Sequence, residues 1–444
     1  MIVTDSKTAS KTMSRTAVLL ILTLVYIFNF LDRQIIGIVA PFIQADLGFS
    51  DSQMGWLMGL AFAALYCTVA IPIALLADRF NRVRIVSISL AVWSGFTVLT
   101  GMAQTFIQML LARVGVGIGE AGGSPPSHSI ISDLYIKEER ASALGIYSLG
   151  IPLGVMMAYF ITGTLLGMEG VSWRVVLIVL GVPGVLLAIF MFLRVPEPSR
   201  GATDGTAANP QAVIKGEFGN NIRALLKIKS WWFMCLAVSF VSFGGYALSN
   251  WGIVYIGRWK PELMEPENFR TLMYAFGVLN ALAYGPGTYF GAKLADRLGK
   301  KNVSAYGWLP GLALVIGVPA LIYAFYVDSI VVHLLLIALY TLTAGFYLGP
   351  AFALAQTLAP IKVRAMSTAL FFFILNMIAL GGGPTIVGLI SQALTPEHGA
   401  EQALRLAMTF LVVPFALSIL FFFVTARTLP KDWREAERRN AAAV

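Results

Sequence analysis

Apolar residues in this chain come in long unbroken blocks, not in the short alternation that marks half-buried helices or strands. A bilayer core about 30 Å thick takes about 20 apolar residues in a helix. By that measure twelve runs predict spans: 16–41, 52–77, 83–103, 105–133, 141–166, 173–194, 230–256, 270–295, 303–326, 330–358, 365–393 and 404–426. The first run reads as a span and not as a removed leader. It is too long, lacks a small-residue cleavage site, and carries Asp32 and Arg33 in its distal half. The expectation is an all-α membrane protein with twelve transmembrane helices.

Composition narrows the class. Of 444 residues, 57% are hydrophobic and 12% charged, half the charge of an ordinary soluble domain. That excludes a disordered tail, a standard cytosolic enzyme and a nucleic-acid binder working through a basic surface. Cys67 and Cys235 lie far apart, each in an apolar run, so neither a disulfide framework nor a metal site is expected. The net charge of +9 is a matter of loops. On the side of the termini the loops hold 24 of the 32 basic residues, the opposite side five, and three (Arg33, Arg113, Lys293) fall within helices. Positive loops stay inside, which predicts that both termini are cytoplasmic.

The chain also repeats at half length. Ala74-Leu-Leu-Ala-Asp78-Arg79-Phe-Asn-Arg82 returns 218 residues later as Ala292-Lys-Leu-Ala-Asp296-Arg297-Leu-Gly-Lys300. Pro126 and Arg140-Ala-Ser return as Pro350 and Arg364-Ala-Met-Ser, and residues 195–229 are rich in Pro, Gly, Ala and Lys. This predicts an N-terminal six-helix bundle (1–195), a cytoplasmic linker (196–229) and a C-terminal six-helix bundle with a short tail (230–444). Two such halves are the build of a transporter that rocks about a central site.

The loop after the second run resembles the signature of the major facilitator superfamily, with Asp78, Arg79, Arg82 and Arg84 matching and Ala74 and Asn81 replacing its glycines. Asp296, Arg297, Gly299 and Lys300 match it again. With Asn29-Phe-Leu-Asp32-Arg33 and Arg113-Val-Gly-Val-Gly117-Ile-Gly-Glu120-Ala-Gly-Gly-Ser-Pro-Pro126, the first half is similar to the Spinster family of lysolipid and sphingolipid transporters. The resemblance implies the major facilitator fold and a lysolipid-like substrate. Gly150-Ile-Pro152-Leu-Gly154 matches the antiporter glycine-proline motif only in part.

Ionisable side chains in mid-membrane cost a few kcal/mol each, by the milder scales, and usually face a bundle interior or a watery cavity. Here the central ones are Asp32, Arg33, Arg113 and Glu120, all in the first half. Arg113, Gly117 and Glu120 share one helix face. Counting along the helices puts Asp32 and Arg113 at about one depth, which predicts an Asp32–Arg113 pair, with Arg33 answering Glu120 in one state. One reading is a static structural pairing. The other has Asp32 and Glu120 couple a proton to transport while an arginine meets an anionic head group.

The signature loop has two readings as well: ordinary inside charge, or a gate in which Asp78 latches onto Arg140 or a helix end of the other half. Arg79, Arg82, Asp296 and Arg297 belong to the same gating set. Glycines crowding 115–123 and Gly381-Gly-Gly-Pro384 suggest close packing and bends. His128 reads as a hydrogen-bonded structural histidine, and His333 and His398 are expected at the outer surface.

The expected cavity is charged on the first-half wall. On the second-half wall it offers Phe243, Tyr246, Ser249, Asn250, Tyr340, Tyr347, Phe371, Phe372 and Asn376. Taken singly, any of these aromatics could face lipid or pack between helices. Together with Asn29, Arg33 and Arg113, Tyr246, Asn250, Tyr340, Tyr347, Phe372 and Asn376 form the expected substrate set. That polarity split suits an amphipathic lipid with an anionic or zwitterionic head, moved by alternating access with protons. The alternative is a small hydrophilic organic anion or a drug. An enzyme is not expected: there is no metal-ligand pattern, nucleophile motif or nucleotide loop. No cofactor, metal or nucleic-acid partner is expected, and the protein is read as a monomer among membrane lipids. Compact loops fit a bacterial inner membrane, and the tail Lys431–Arg439 reads as a solvated or membrane-surface helix.

Overall fold

The computed structural model describes residues 13–77, 79–200, 225, 227–360 and 364–441, and every regular element among them is helical. Before the linker these are α1 (Arg15–Leu47), α2 (Asp51–Met58), α3 (Leu60–Ala77), α4 (Arg82–Met102), α5 (Phe106–Glu120), α6 (Ser124–Leu134), α7 (Lys137–Ser148), α8 (Gly150–Leu166) and α9 (Trp173–Arg194). After it come α10 (Lys229–Trp259), α11 (Pro266–Gly299), α12 (Ala305–Ala324), α13 (Ile330–Ala344), α14 (Leu348–Thr357), α15 (Arg364–Asn376), α16 (Gly382–Thr409) and α17 (Val412–Ala441). Most of the expected linker, residues 201–224, lies outside the described residues.

By length and composition, nine of the described helical stretches can cross a membrane. Met366–Arg439 is one of them and holds the last two apolar runs of the sequence. The runs 105–133 and 270–295 are helical without reaching that measure. The first of these carries Arg113 and Glu120 and breaks between α5 and α6, where Pro125 and Pro126 open the new helix.

Local chemistry sets the breaks. Ser14 caps α1, its Oγ accepting from Ala17 N at 3.2 Å, and Gly48 ends it at φ 66°. Ser50 and Gln53 form a reciprocal capping box that starts α2. The chain before the Gly381–Pro384 cluster takes a π-helical turn, Met377–Gly381, as the glycine run suggests.

Several helices cross between the two halves: α1 packs on α10, α2 on α16 and α8 on α11. Close packing drives such contacts where lipid surrounds them, so small residues sit at the crossings. A Cβ on Gly37 would lie 2.8 Å from Asn250 Cα, and one on Gly388 would lie 2.5 Å from Asp51 O. One buried cluster is continuous from Ile38, Val39 and Leu57 to Trp251, Val254 and Val387. A second lies mainly in the first half around Leu22, Val86, Trp93, Val116 and Ile130. Tyr246 packs against both.

The tail differs in part from the sequence expectation. It continues α17 with one face solvated, as expected, and the other docked: Ser230 N and Oγ donate to Asp432 Oδ2 at 2.7 and 2.6 Å. Trp433 stacks on Tyr306 with centroids 5.9 Å apart, and Arg439 Nη2 donates to Leu358 O at 2.6 Å. An acidic side chain at the start of α10 meets unpaired N–H groups there, which draws the tail inward. His333 also departs from expectation. It is 2% exposed, bonded through Nδ1 to Ala324 O at 2.8 Å, and flanked by Tyr255 and Trp259.

Candidate functional site

Three of the four deep charges, Asp32, Arg113 and Glu120, are buried, and Arg33 is partly buried. Arg33 Nε donates to Glu120 Oε2 at 2.7 Å, as expected for one state, with the Glu120 side chain wholly buried and 11% of the Arg33 side chain exposed. The Arg33 guanidinium lies over Tyr66 at 4.5 Å, Phe30 at 5.4 Å and Phe62 at 5.6 Å. Ring faces attract a cation most strongly when water is scarce, so Arg33 is held by a carboxylate and by a cage of rings.

The Asp32–Arg113 pair is not formed. Asp32 Oδ1 accepts from Thr97 Oγ1 at 3.0 Å. Arg113 instead lies over Phe62 at 5.2 Å, and its Nε donates to Leu57 O at 3.4 Å. Counting residues gives a height along the bundle but not the direction a side chain takes around its helix. Asp32 points at α4 and Arg113 at the α2–α3 segment.

The aromatic side of the site is not confined to the second half. Tyr26, Phe30, Phe62 and Tyr66 surround Arg33 from the first half, Tyr26 stacking on Tyr147 at 4.3 Å. The sequence reading missed this cage, although Phe30 and Tyr26 share a helix with Arg33 at short spacings. From the second half, Tyr246 reaches the same place and interacts with Arg33. Asn250 Nδ2 donates to Tyr246 O at 2.9 Å, and Asn250 sits at the α1 crossing. Tyr347 shares a hydrogen bond with Ser242 at 3.0 Å, and Asn376 Nδ2 donates to Phe372 O at 2.9 Å just before the π turn. Phe372 is 40% exposed and packs on Phe352. Tyr340 and Phe371 belong to the interior of the second half, against Phe415 and Trp231. Asn29 is buried beside Glu120.

The signature-loop residues are engaged near their own ends. Asp78 lies outside the described residues. Arg82 is 1% exposed and donates to Asp133 at 2.5 Å, Glu197 at 2.7 Å, Ser129 at 2.8 Å and Pro198 O at 2.9 Å. It thus ties the loop to α6 and to the start of the linker. Arg140 Nη2 donates to Ser132 O at 2.8 Å, and Asp296 accepts from Tyr306 Oη at 2.9 Å. Arg79 and Arg297 are solvent-facing.

At the end away from the termini the structure shows a contact that sequence reading passed over. Asp51, 5% exposed, receives both Arg258 Nη atoms, Nη1 at 2.9 Å. Ser391 Oγ donates to Asp51 at 2.6 Å and Gln44 Nε2 at 2.8 Å, and the Asp51 backbone N–H donates to Gln392 Oε1 at 3.1 Å. One carboxylate from α2 thus gathers α1, α10 and α16. Deeper in, Ser249 Oγ donates to Gln34 Oε1 at 2.7 Å, while Gln34 Nε2 donates to Tyr159 Oη at 3.0 Å. Leu60 N donates to Thr385 Oγ1 at 3.1 Å. The signal was an acid heading the second run and an arginine closing the seventh, with nothing in the sequence to join them.

The family model described as Major Facilitator Superfamily matches residues 22–384. An MFS-type efflux pump of Mycolicibacterium smegmatis is 30% identical over 413 residues, covering 92% of this chain and 92% of its own length. The sphingosine-1-phosphate transporter SPNS2 of Xenopus tropicalis is 29% identical over 442 residues, covering 94% of this chain and 83% of its own. The crystal structure of a bacterial homologue of the human lysosomal transporter Spinster, inward-facing and unoccupied, superposes with a TM-score of 0.85 at 31% identity. It covers 94% of this chain and 98% of that one. The duplicated signature, the helical fold and these matches agree: the chain belongs to the Major Facilitator Superfamily of membrane transporters and is a homologue of its Spinster members.

Proposed function

We propose that this transporter carries an amphipathic lipid with an anionic or zwitterionic head, of lysophospholipid or sphingosine-phosphate type, driven by protons across a bacterial inner membrane. The observation that carries the proposal is the Arg33–Glu120 pair, buried under the rings of Phe30, Phe62 and Tyr66 with Asp32 beside it. A head-group anion competes with Glu120 for Arg33. Once released from the guanidinium, a carboxylate in so dry a place is costly as a charge and takes up a proton. Return of Arg33 to Glu120 expels it. The rings suit an alkyl chain next to the head, and the SPNS2 relative is named for transport of sphingosine-1-phosphate.

In this proposal the two halves, 1–195 and 230–444, rock about the site with 196–229 joining them and both termini in the cytoplasm. Asp51–Arg258 holds the outer side shut, and the Arg82 network braces the inner end. The test is uptake of labelled lysophospholipid into proteoliposomes with and without an imposed proton gradient. Uptake is expected to rise with the gradient and to vanish in Glu120→Gln. Equal rates in both conditions together with an unimpaired Glu120→Gln would overturn the proton step.

A second reading, export of a small organic anion or drug, is favoured by the efflux pump at 30% identity. Competition separates the two. Displacement of bound lysophospholipid by drug-like anions and not by a second lysolipid would favour export.

A further inference from the structure

Glu120 leaves one feature outside the cycle just described. Its Oε2 meets Arg33, but its Oε1 is buried with no partner. Two other buried side-chain atoms on the helices beside it are also without one, Asn29 Oδ1 on α1 and Trp93 Nε1 on α4, while the unpartnered Ser94 Oγ of α4 is turned toward Gly184 of α9. Asn29 stands beside Glu120. The Trp93 ring lies beneath the break between α5 and α6: a Cβ on Gly123 would be 3.5 Å from the ring and 3.4 Å from Glu120 O. One turn on, Asp32 is bonded to Thr97, whose Oγ1 also donates to Trp93 O at 3.0 Å.

The three atoms form a matched set. An indole N–H can only donate, and an amide oxygen and an ionised carboxylate oxygen can only accept. One donor and two acceptors are the complement of a single water, which accepts one bond and donates two. Buried waters typically make about three bonds to polar groups of this sort. Left unpaired, each atom would carry its full desolvation penalty with no bond to offset it.

We propose that the α1–α4–α5 junction binds one internal water between Trp93 Nε1, Asn29 Oδ1 and Glu120 Oε1, and that Trp93 acts through it as a positioning residue for the ionised form of Glu120. Around Glu120 stand Asn29, Asp32 and Arg33 of α1, Arg113 on its own helix α5 and Tyr246 of α10, with Tyr66 of α3 over the Arg33 guanidinium. His128 of α6 turns away, edge-on to Tyr147 at 5.2 Å. When Glu120 is protonated its acid O–H becomes a donor, the complement no longer matches, and the water must turn or leave. The water is therefore specific to the charged state. This inference deepens the proton-coupled reading and rests on it for its role, though not for the water itself.

The test is hydroxyl-radical footprinting of the full chain in lipid nanodiscs, in which water held against a buried ring marks that ring. Trp231 and Trp251 are the controls, buried like Trp93, with Nε1 donating to Ser367 Oγ at 2.7 Å and Pro384 O at 2.8 Å. Trp93 is expected to label several-fold faster than either. Asn29→Leu should bring it down to their level, while Asn29→Asp, which keeps an acceptor, should not. Labelling of Trp93 at the control rate in the unaltered chain would overturn the water. In transport, Trp93→Phe removes the donor and keeps an aromatic ring, and should move the pH profile of uptake to the alkaline side by about half a unit or more. A labelled Trp93 with an unmoved profile would overturn its positioning role. Uptake indifferent to pH would bring down the proton reading and that role with it, while the labelling result would still decide the water.

Discussion

Two arginine–carboxylate pairs with buried carboxylates are built in opposite ways in this protein. Asp51–Arg258 joins the halves, and around it every oxygen of the carboxylate has a donor, from Arg258, Ser391 and Gln44. Arg33–Glu120 lies within the first half, and one carboxylate oxygen has no protein partner. A saturated pair is a lock, because any motion that parts it exposes several unmet groups together. A pair saturated on one side only, with rings sharing the arginine, can change partner at lower cost. The lesson is that burial and charge alone do not identify the mobile pair; the count of remaining bonds does.

The sharpest way to break this contrast is to remove one partner of the inner pair. Arg33→Leu leaves Glu120 without its cation, and uptake in proteoliposomes should fall by about 100-fold or more, in keeping with the several kcal/mol such a loss costs. Substantial residual uptake would mean that Arg33 meets neither substrate nor Glu120 during the cycle. Next in size, Arg258→Leu should shift the balance toward the opposite opening by about 3 kcal/mol. The distance between spin labels on Ala45 of α1 and Ala393 of α16, in opposite halves, should then lengthen, and an unchanged distribution would deny the lock. Adding Asp51→Leu should recover part of the loss, since no charge is then stranded.

A smaller effect is expected at the crossing of α1 and α10. Gly37→Val places side-chain atoms where Asn250 Cα lies 2.8 Å from a Cβ, and overpacking of this kind costs about 1–3 kcal/mol. It should destabilise the present arrangement in the same distance measurement, with both ion pairs intact. The smallest is Trp433→Ala. Loss of the stack on Tyr306 should lower Tm in detergent by the equivalent of about 1 kcal/mol and leave transport unchanged. A large transport defect there would give the docked tail a role in gating.

Much was legible in the residues alone. Apolar runs of span length, the repeated Asp-Arg loop and the four deep charges announced a duplicated membrane transporter and the helices that bear its site. The Arg33–Glu120 pair followed from the same reasoning. The failures share a cause. Asp32 and Arg113 stand at one height yet point at different neighbours, Thr97 and Leu57. Asp51 and Arg258 lie 207 residues apart, and each looked like a surface charge at a helix end. Tyr340 carries the same aromatic signature as Tyr246, but packing sends it into the second half against Phe415. His333 and the tail looked exposed because their partners, the carbonyl of Ala324 and the N–H groups opening α10, carry no mark in the sequence.

Hydrophobic length and charge placement are properties of a segment and its solvent, so they decided the helices, their membrane character and the half that bears the deep charges. Which charge meets which is a property of rotation, tilt and close approach between segments far apart in the chain. Only the folded bundle settled that Asp51 of the first half meets Arg258 of the second, that Arg33 lies in a ring cage, and that Glu120 keeps one oxygen unclaimed by the protein. Hydrogen bonds act over about 3 Å, a scale that no count along the sequence resolves.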